Sequence, residues 1–416
     1  MSESLHLWYE DEPVGSLWRE GEALRFVYAA DWLAREGAFA LSLSIPLAEG
    51  EQGGPAVAHF FANLLPEGFI RQSLAERMGL SVDNDFALLS ALGADCAGAL
   101  QILPPGEQPG AKGGPPRKLS PARWKRLLAS PPVFAALVED GRLRLSLAGA
   151  QDKLPVLLPG GKPALPASGA ASSHLLKFGG QDFVHLPANE VYCNMLAAAA
   201  GLRVAETRLI RLGGQEVALI RRYDRRADEG RLRRLHQEDF CQALGFSHHR
   251  KYEQEGGPGF EDCFALLERV SAEPLPDIEQ LLGWLIFNLL VGNADGHAKN
   301  ISLIYEGPGR PRLAPFYDLV CTAAYRRLDR RAAMAVGGQA DPGQVARAHW
   351  ERLAERVGLG RAFLLGEVRH LAEDLPRLAR EQAAAFQVAY GEHPILQMVQ
   401  RPLRRRARRC LDLLED

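Results

Sequence analysis

The longest apolar run of the chain, residues 281–291, leads into a short polar segment, DGHAKN at 295–300. The run is too short to span a bilayer, so it predicts a buried helix. Polar groups that emerge from a buried element cost free energy unless they are paired or used. An aspartate, Asp318, follows in the sequence FYDL at 316–319. These two segments together are the strongest candidate for a functional site.

Asp295, Asn300 and Asp318 have the order and spacing of a protein-kinase catalytic loop and its metal-binding segment. Phosphoryl transfer needs a carboxylate near the accepting hydroxyl and oxygen ligands for Mg²⁺ on the phosphates, and these residues could provide both. A structural interpretation competes with this one. Asn293, Asp295 and Asn300 would then cap backbone groups at a helix end, and Asp318 would be a turn residue.

Composition narrows the class of protein. A chain of 416 residues predicts two or three domains, and 47% apolar with 24% charged residues is typical of a globular protein. The net charge of −2 gives no general basic bias toward nucleic acid. The six cysteines form no C-x-x-C pair, which favours reduced thiols over disulfides or a zinc site. No secretory signal is evident at the N-terminus, so we expect a cytoplasmic protein without a membrane partner.

Apolar periodicity predicts an α+β fold with β-rich segments first and helices later. The sequence predicts an antiparallel sheet within 5–45, helices near 59–65 and 85–89, an exposed linker at 104–116, strands at 143–147, 154–158, 174–178 and 216–221, a loop at 159–173, a helix at 190–200 and mainly helices from 236. This order is that of a two-lobed protein-kinase-like fold with a β-rich N-lobe, a helical C-lobe and an N-terminal β-rich subdomain. We expect domains at 1–118, 119–235 and 236–416.

Two further features fit phosphate binding. The segment SLAGAQDK at 146–153 has small residues that would let backbone N–H groups approach phosphate oxygens. It matches no standard phosphate-loop pattern, and a plain hairpin turn explains it equally well. Lys177 is a lone charge in the strand HLLKF. It is either an edge-strand lysine facing solvent or a strand lysine that holds phosphates, with Glu190 on the next helix to orient it.

The chain resembles the HipA family of serine/threonine kinases, the toxin half of bacterial HipA–HipB-type toxin–antitoxin pairs. The resemblance runs along nearly the whole length. It rests on these segments: FFANLLPEG at 60–68, NDFALL at 84–89, residues 93–100, SLAGAQDK at 146–153, QEDFCQ at 237–242, KYE at 251–253, GGPG at 256–259, DGHAKN at 295–300 and FYD at 316–318.

The resemblance implies a role for each matching position. Asp295 would be the catalytic base, and Asn300 and Asp318 would hold Mg²⁺. The ATP contacts would come from Ala148, Gly149, Ala150, Gln151, Asp152, Lys153, Lys177, His297, Ala298, Lys299, Asn300 and Tyr317, with main-chain groups of Arg221, Arg222 and Tyr223 at the adenine. Ser146 occupies the family's autophosphorylation position, where a phosphate would eject the nucleotide loop and silence the kinase.

Two main functions follow from this resemblance. The first is an ATP-dependent serine/threonine kinase toxin that phosphorylates a translation component, with an aminoacyl-tRNA synthetase as the implied substrate class. The second is a kinase-like partner and co-repressor of a HipB-like DNA-binding antitoxin, with catalysis dispensable and DNA contacted only through the antitoxin complex. A small-molecule kinase is a third, weaker alternative. Intact Lys177, Asp295, Asn300 and Asp318 favour catalysis.

The C-terminus offers a separate candidate surface. Six arginines occupy nine positions between 401 and 409, which could form a phosphate-binding face. Apolar residues at helical spacing, Leu403, Ala407, Cys410, Leu411 and Leu414, favour instead an amphipathic terminal helix with a solvated basic side.

Overall fold

The computed structural model of the chain describes residues 3–110, 114–129, 131–138, 148–149, 151–167, 169–180, 182–307 and 309–415. Its strands are β1 (Ser4–Tyr9), β2 (Glu12–Glu20), β3 (Ala23–Tyr28), β4 (Glu51–Gly53), β5 (Leu100–Leu103), β6 (Arg117–Lys118), β7 (Lys153–Val156), β8 (Ala164–Leu165), β9 (His174–Phe178), β10 (Thr207–Leu212), β11 (Gln215–Arg221), β12 (Arg225–Asp228), β13 (Arg231–Arg234), β14 (His236–Asp239), β15 (Ser302–Tyr305) and β16 (Arg312–Leu313). Its helices are α1 (Ala30–Ala34), α2 (Pro55–Asn63), α3 (Gly68–Met78), α4 (Asp85–Leu92), α5 (Pro121–Leu128), α6 (Val133–Val138), α7 (Leu186–Ala199), α8 (Phe240–Leu244), α9 (Phe260–Val270), α10 (Pro274–Val291), α11 (Arg347–Arg356), α12 (Arg361–Tyr390) and α13 (Ile395–Glu415).

The chain divides into two compact units. Unit 1 comprises Met1–Phe178, Ile210–His249 and Leu303–Gly309, and unit 2 comprises Gly179–Leu209, Arg250–Ser302 and Arg310–Asp416. Unit 1 holds most of the strands, and unit 2 is mainly helical. The predicted α+β class, with β-rich segments before helical ones, is confirmed.

Unit 1 begins with an antiparallel sheet of strand order β4-β3-β2-β1-β5. Alternate residues such as Leu5 and Leu7 on β1 are buried, as expected for a sheet with one face against a core. Helix α2 contributes Phe61, whose ring lies 6.2 Å from that of Phe26 on β3. The predicted N-terminal sheet and the helices near 59–65 and 85–89 are therefore confirmed. The sheet does not continue to residue 45, because Ala30–Ala34 form helix α1.

A second sheet of unit 1 has the order β10-β11-β9-β7. Strands β7, β9 and β11 confirm the predictions at 154–158, 174–178 and 216–221, whereas the predicted strand at 143–147 lies outside the described residues. The predicted loop at 159–173 is wrong at β8. Ala164 and Leu165 are fully buried there and pair with Lys118 and Arg117 of β6, so this apolar pair gains both burial and ladder hydrogen bonds.

Helix α10 in unit 2 confirms the buried helix predicted from the apolar run. Consecutive residues Trp284 to Asn288 are all buried, as in a helix that is apolar on every side. The helix ends at Gly292, which has φ +80°, a conformation that favours glycine. A side chain there would also meet Ala323, because a Cβ would lie 2.7 Å from the Ala323 Cβ. Gly292 therefore allows the turn into the polar loop.

Helix α13 confirms the amphipathic interpretation of the C-terminus. Its apolar positions, including Leu403, Ala407 and Leu414, are buried. The basic side is solvated: Arg401, Arg404, Arg405, Arg408 and Arg409 are exposed.

The six cysteines are buried free thiols, as predicted. Within the described residues, no helix combines the length and apolar composition that a membrane span requires.

Candidate active site

The loop after α10 is held in place by a relay of asparagine side chains in unit 2. Asn288, on the last turn of α10, donates through Nδ2 to the carbonyl oxygen of Trp284 at 2.9 Å. Asn293 donates through Nδ2 to Asn288 Oδ1 at 2.8 Å, and its own Oδ1 accepts from the backbone N–H of Asp295 at 3.0 Å. The backbone at Asp295 is therefore anchored to a buried helix.

The loop is also closed on itself. Asn300 donates through Nδ2 to the carbonyl oxygen of Asp295 at 2.8 Å, and the backbone N–H of His297 donates to the same oxygen at 3.0 Å. Ala298, Lys299 and Asn300 form a buried 3₁₀ turn, whereas 51% of the Asp295 side chain is exposed. Asn293 and Asn300 thus bond to backbone groups of the loop, as expected from the alternative interpretation in which they are capping residues. The Asp295 carboxylate, by contrast, is presented to solvent.

Tyr317 ties the segment that contains Asp318 to this loop. Its hydroxyl donates to the carbonyl oxygen of Lys299 at 2.7 Å, so the 2.7 Å contact with Ser302 has the serine as donor. Asp318 itself has φ +56°, in the left-handed region that few residues other than glycine adopt. Strained backbone of this kind clusters at functional sites.

Thr322 provides a second anchor that the sequence did not suggest. Its hydroxyl accepts from the backbone N–H of Ala294 at 2.8 Å and donates to the carbonyl oxygen of Gly292 at 3.0 Å. One side chain thereby satisfies two backbone groups at the turn from α10 into the loop. Thr322 belongs to no sequence pattern that predicts this contact.

Tyr252 touches the candidate catalytic group directly. Its hydroxyl donates a hydrogen bond to Oδ1 of Asp295, and its ring meets the His297 ring edge-on with centroids 5.0 Å apart. The one signal for this residue in the sequence was its place in the KYE segment, and no role followed from that segment alone.

Two described residues of the small-residue segment in unit 1, Gly149 and Gln151, are held by hydrogen bonds to other parts of this unit. Gly149 has φ +104°, and its carbonyl oxygen accepts from the backbone N–H of Glu67 at 3.1 Å. Gln151 donates through Nε2 to the carbonyl oxygen of Phe178 at 3.1 Å, which ties this segment to the end of β9. Ala148 is partly buried beside Gly149. Ser146 and Ala150, both predicted site residues, lie outside the described residues.

Asp152 has a structural partner. Its carboxylate accepts from the backbone N–H groups of Val133 at 2.6 Å and Phe134 at 3.2 Å, so it caps the start of α6. Burial raises the pKa of Asp152, although these two hydrogen bonds oppose the shift. In the described part of the chain, the Asp152 side chain therefore stabilises the N-terminus of α6.

Lys153 and Lys177 lie directly opposite each other in the antiparallel β7–β9 ladder. Lys177 is only 3% exposed, on a strand paired on both sides. The alternative interpretation of Lys177 as an edge-strand lysine facing solvent is therefore wrong. The register therefore brings two basic residues to the same face of this sheet.

The three residues predicted to contact the adenine, Arg221 to Tyr223, differ in their exposure to solvent. Arg221 is exposed, while the backbone N–H of Arg222 donates to the carbonyl oxygen of Ser173 at 3.0 Å. The Arg222 side chain is buried and donates to both oxygens of Asp224, at 2.9 and 2.7 Å. Tyr223 donates from its hydroxyl to Gln237. The sequence suggested only main-chain roles here, so the buried Arg222 side chain was missed.

Comparisons with known proteins identify the family of the chain. The HipA N-terminal domain family matches residues 5–103, and the HipA-like C-terminal domain family matches residues 145–384. A putative kinase, Y4mE, of Sinorhizobium fredii is 41% identical over 376 residues, which are 89% of each chain. The serine/threonine-protein kinase toxin HipA of Shewanella oneidensis is 32% identical over 396 residues, 91% of this chain and 89% of the relative.

The fold comparison extends over the whole chain. HipA of Shewanella oneidensis MR-1, solved with HipB and operator DNA, superposes with a TM-score of 0.85 at 29% identity, covering 99% of this chain and 98% of that one. The fold is thus the two-lobed, kinase-like fold predicted from the sequence. The chain belongs to the HipA family of serine/threonine kinases.

Proposed function

We propose that this chain transfers the γ-phosphoryl group of ATP to a serine or threonine hydroxyl of a protein. The observation that carries the proposal is the Asp295 loop, in which one exposed carboxylate projects from an otherwise buried, hydrogen-bonded turn. Phosphoryl transfer requires positioning and charge stabilisation more than covalent chemistry from the enzyme. A rigid loop with one accessible carboxylate meets the positioning requirement.

The proposed roles in unit 2 come from the family resemblance, and the loop geometry is compatible with them. Asp295 orients the acceptor hydroxyl and accepts its proton. Asn300 and Asp318 hold Mg²⁺, which prefers oxygen ligands. Asn300 fits this role because its Nδ2 is fixed on the Asp295 carbonyl, which leaves Oδ1 at the other end of the amide. His297, Ala298, Lys299 and Tyr317 line the phosphate side in this proposal.

The proposed roles in unit 1 concern the nucleotide. Ala148, Gly149, Ala150, Gln151, Asp152 and Lys153 cover the phosphates, and Lys177 contacts them. The opposed Lys153–Lys177 pair supports this assignment, since two basic side chains on the same face of neighbouring strands can both contact a polyphosphate. Main-chain groups of Arg221, Arg222 and Tyr223 hold the adenine. Autophosphorylation is proposed at Ser146.

We propose a HipB-like antitoxin as partner, with operator DNA contacted through that complex. The support is the whole-length likeness to HipA of Shewanella oneidensis, which was solved with HipB and operator DNA. The same likeness favours a second candidate function, a co-repressor whose catalysis is dispensable. For the kinase, the substrate proposed from the family resemblance is a translation component of the aminoacyl-tRNA synthetase class.

One experiment separates these functions. The purified protein is incubated with ATP, Mg²⁺ and a cell lysate, and new phosphosites are mapped by mass spectrometry. The kinase proposal predicts new phosphoserine or phosphothreonine in a lysate protein and phosphate on Ser146. Absence of both, with operator binding intact in the presence of a HipB-like protein, would support the co-repressor instead.

A further inference from the structure

The segment that carries Tyr252 is tightly built. The backbone N–H groups of Gly256 and Gly257 donate to the carbonyl oxygens of Glu253 and Tyr252, each at 3.0 Å. Gly257 packs so closely that an added Cβ would lie 2.2 Å from the Arg250 carbonyl oxygen. Only glycine fits at this position, and the backbone around Tyr252 is consequently confined.

Glu253 clamps the same segment to another part of unit 2. Its backbone N–H donates to the carbonyl oxygen of Ala333 at 3.2 Å, and its carboxylate accepts from the backbone N–H of Ala335 at 2.6 Å. These two hydrogen bonds join the Tyr252 segment to residues 333–335. The residue next to Tyr252 therefore cannot shift without breaking both.

The Tyr252 side chain extends from this fixed backbone to the catalytic loop. Its hydroxyl donates to Asp295 Oδ1, and its ring contacts both the His297 ring and the Lys251 ammonium, which lies 5.7 Å from the ring centroid. His297 Nε2 also lies 3.7 Å from Asp295 Oδ1. Both contacts fall on the same carboxylate oxygen.

This arrangement has a consequence for the acceptor hydroxyl. A half-exposed aspartate would otherwise rotate among several rotamers. With Oδ1 held by Tyr252, fewer orientations of the carboxylate are available, and Oδ2 is the oxygen that we assign to the acceptor hydroxyl. Small errors in the placement of reacting groups cost large factors in rate, so fixing the carboxylate matters for turnover.

We propose that Tyr252 is a positioning residue for phosphoryl transfer, which fixes the Asp295 carboxylate for the acceptor hydroxyl. The inference rests on the proposed function, in which Asp295 is the group that receives this hydroxyl. Tyr252 acts through Asp295, not on the nucleotide. Its removal should slow phosphoryl transfer without weakening ATP binding.

The test compares Tyr252→Phe with the wild type and with Tyr192→Phe. Tyr192 is a matched control because its buried hydroxyl also donates a hydrogen bond in unit 2, to the Ala379 carbonyl oxygen at 2.6 Å. The initial rate of ³²P incorporation from γ-labelled ATP into the chain and into dephosphorylated casein gives kcat and KM for ATP. We expect Tyr252→Phe to lower kcat by about 10- to 100-fold with KM unchanged. Tyr192→Phe should lower only the thermal midpoint.

A parallel Asp295→Asn variant keeps the two proposals apart. If Asp295→Asn labels as fast as the wild type, the proposed function of the loop is wrong. If Asp295→Asn is inactive and Tyr252→Phe keeps the wild-type kcat, only the role of Tyr252 is overturned. A Tyr252→Phe variant whose kcat falls and whose KM for ATP rises by the same factor would also overturn the role of Tyr252. That pattern reports a general disturbance of the loop.

Discussion

Lys177 on β9 faces Lys153 on β7 across an antiparallel ladder, and Lys177 is almost completely buried. Residues directly opposite each other in an antiparallel ladder place their side chains on the same face of the sheet, so both lysines can contact one anion. In the proposed function that anion is the polyphosphate of the nucleotide. A ligand that binds only the folded state raises the unfolding temperature, and at a given concentration a tighter ligand raises it more.

We predict that Lys177→Met reduces the rise in thermal midpoint that ATP and Mg²⁺ produce. The lost contact with a phosphate lowers nucleotide affinity, and the midpoint without ATP reports separately any change in the stability of the free protein. Differential scanning fluorimetry with and without ATP measures both effects. Lys162→Met, at an exposed position, is the control and should keep the full shift. An undiminished ATP shift in Lys177→Met would contradict the role of this lysine.

A second prediction concerns Glu238, which is fully buried in unit 1. Its carboxylate accepts hydrogen bonds from the hydroxyls of Ser42 and Tyr305, both at 2.5 Å. Burial raises its pKa from 4.5 to about 7, because the hydrogen bonds only partly offset the loss of solvent. The folded state thus holds the proton more tightly than the unfolded state. The resulting stabilisation is complete below about pH 4.5 and is lost as the pH rises through about 7.

Glu238→Gln removes this titration. We expect the free energy of unfolding of the wild type to fall by about 3 kcal/mol more than that of Glu238→Gln between pH 5 and pH 8. Urea denaturation at several pH values measures the difference. Parallel pH profiles for the two proteins would show that Glu238 does not titrate in this range.

The third prediction concerns Asp95, the centre of a buried ion cluster in unit 1. It contacts Arg225 at 2.8 Å and both Arg222 and Arg234 at 3.3 Å. Burial alone would raise the pKa of Asp95, but the three guanidinium groups outweigh burial and lower it. The carboxylate is therefore charged, and its removal leaves three buried arginines with too little negative charge.

We expect Asp95→Asn to lower the free energy of unfolding by about 3–5 kcal/mol, the usual cost of breaking a buried ion pair. The measurement is the urea midpoint at neutral pH. Asp228→Asn is the control, since Asp228 pairs with Arg233 at 3.1 Å on the surface, where such pairs contribute little. Equal midpoints for the two variants would contradict a structural role for the cluster.

The parts of the site that are close in sequence could be predicted, and the parts assembled by tertiary contacts could not. Asp295 and Asn300 share one short loop, so their spacing alone indicated a common role. Helices α10 and α13 followed from apolar periodicity, because burial selects apolar residues at the helical repeat. The contact between Tyr252 and Asp295 spans 43 positions and depends on the packing of two loops.

Strand register and buried charge were also beyond the sequence. The Lys153–Lys177 pairing depends on how β7 and β9 align, and a shift of one residue would separate the two lysines. Asp95 and Arg222 are 127 positions apart, and each alone is typical of an exposed residue. Strand β8 was missed because two apolar residues between prolines and glycines carry no periodicity.

The rate of ³²P transfer from γ-labelled ATP by Asp295→Asn tests whether this loop carries the reaction. Wild type and an exposed control, Asp412→Asn, are measured in parallel at equal protein concentration, and the thermal midpoint of each protein is recorded to show that it is folded. We expect Asp412→Asn to label at the wild-type rate and Asp295→Asn to lose at least about 100-fold, with ATP-induced stabilisation retained. Labelling by Asp295→Asn at the wild-type rate would contradict the role of Asp295 as the group that receives the acceptor hydroxyl.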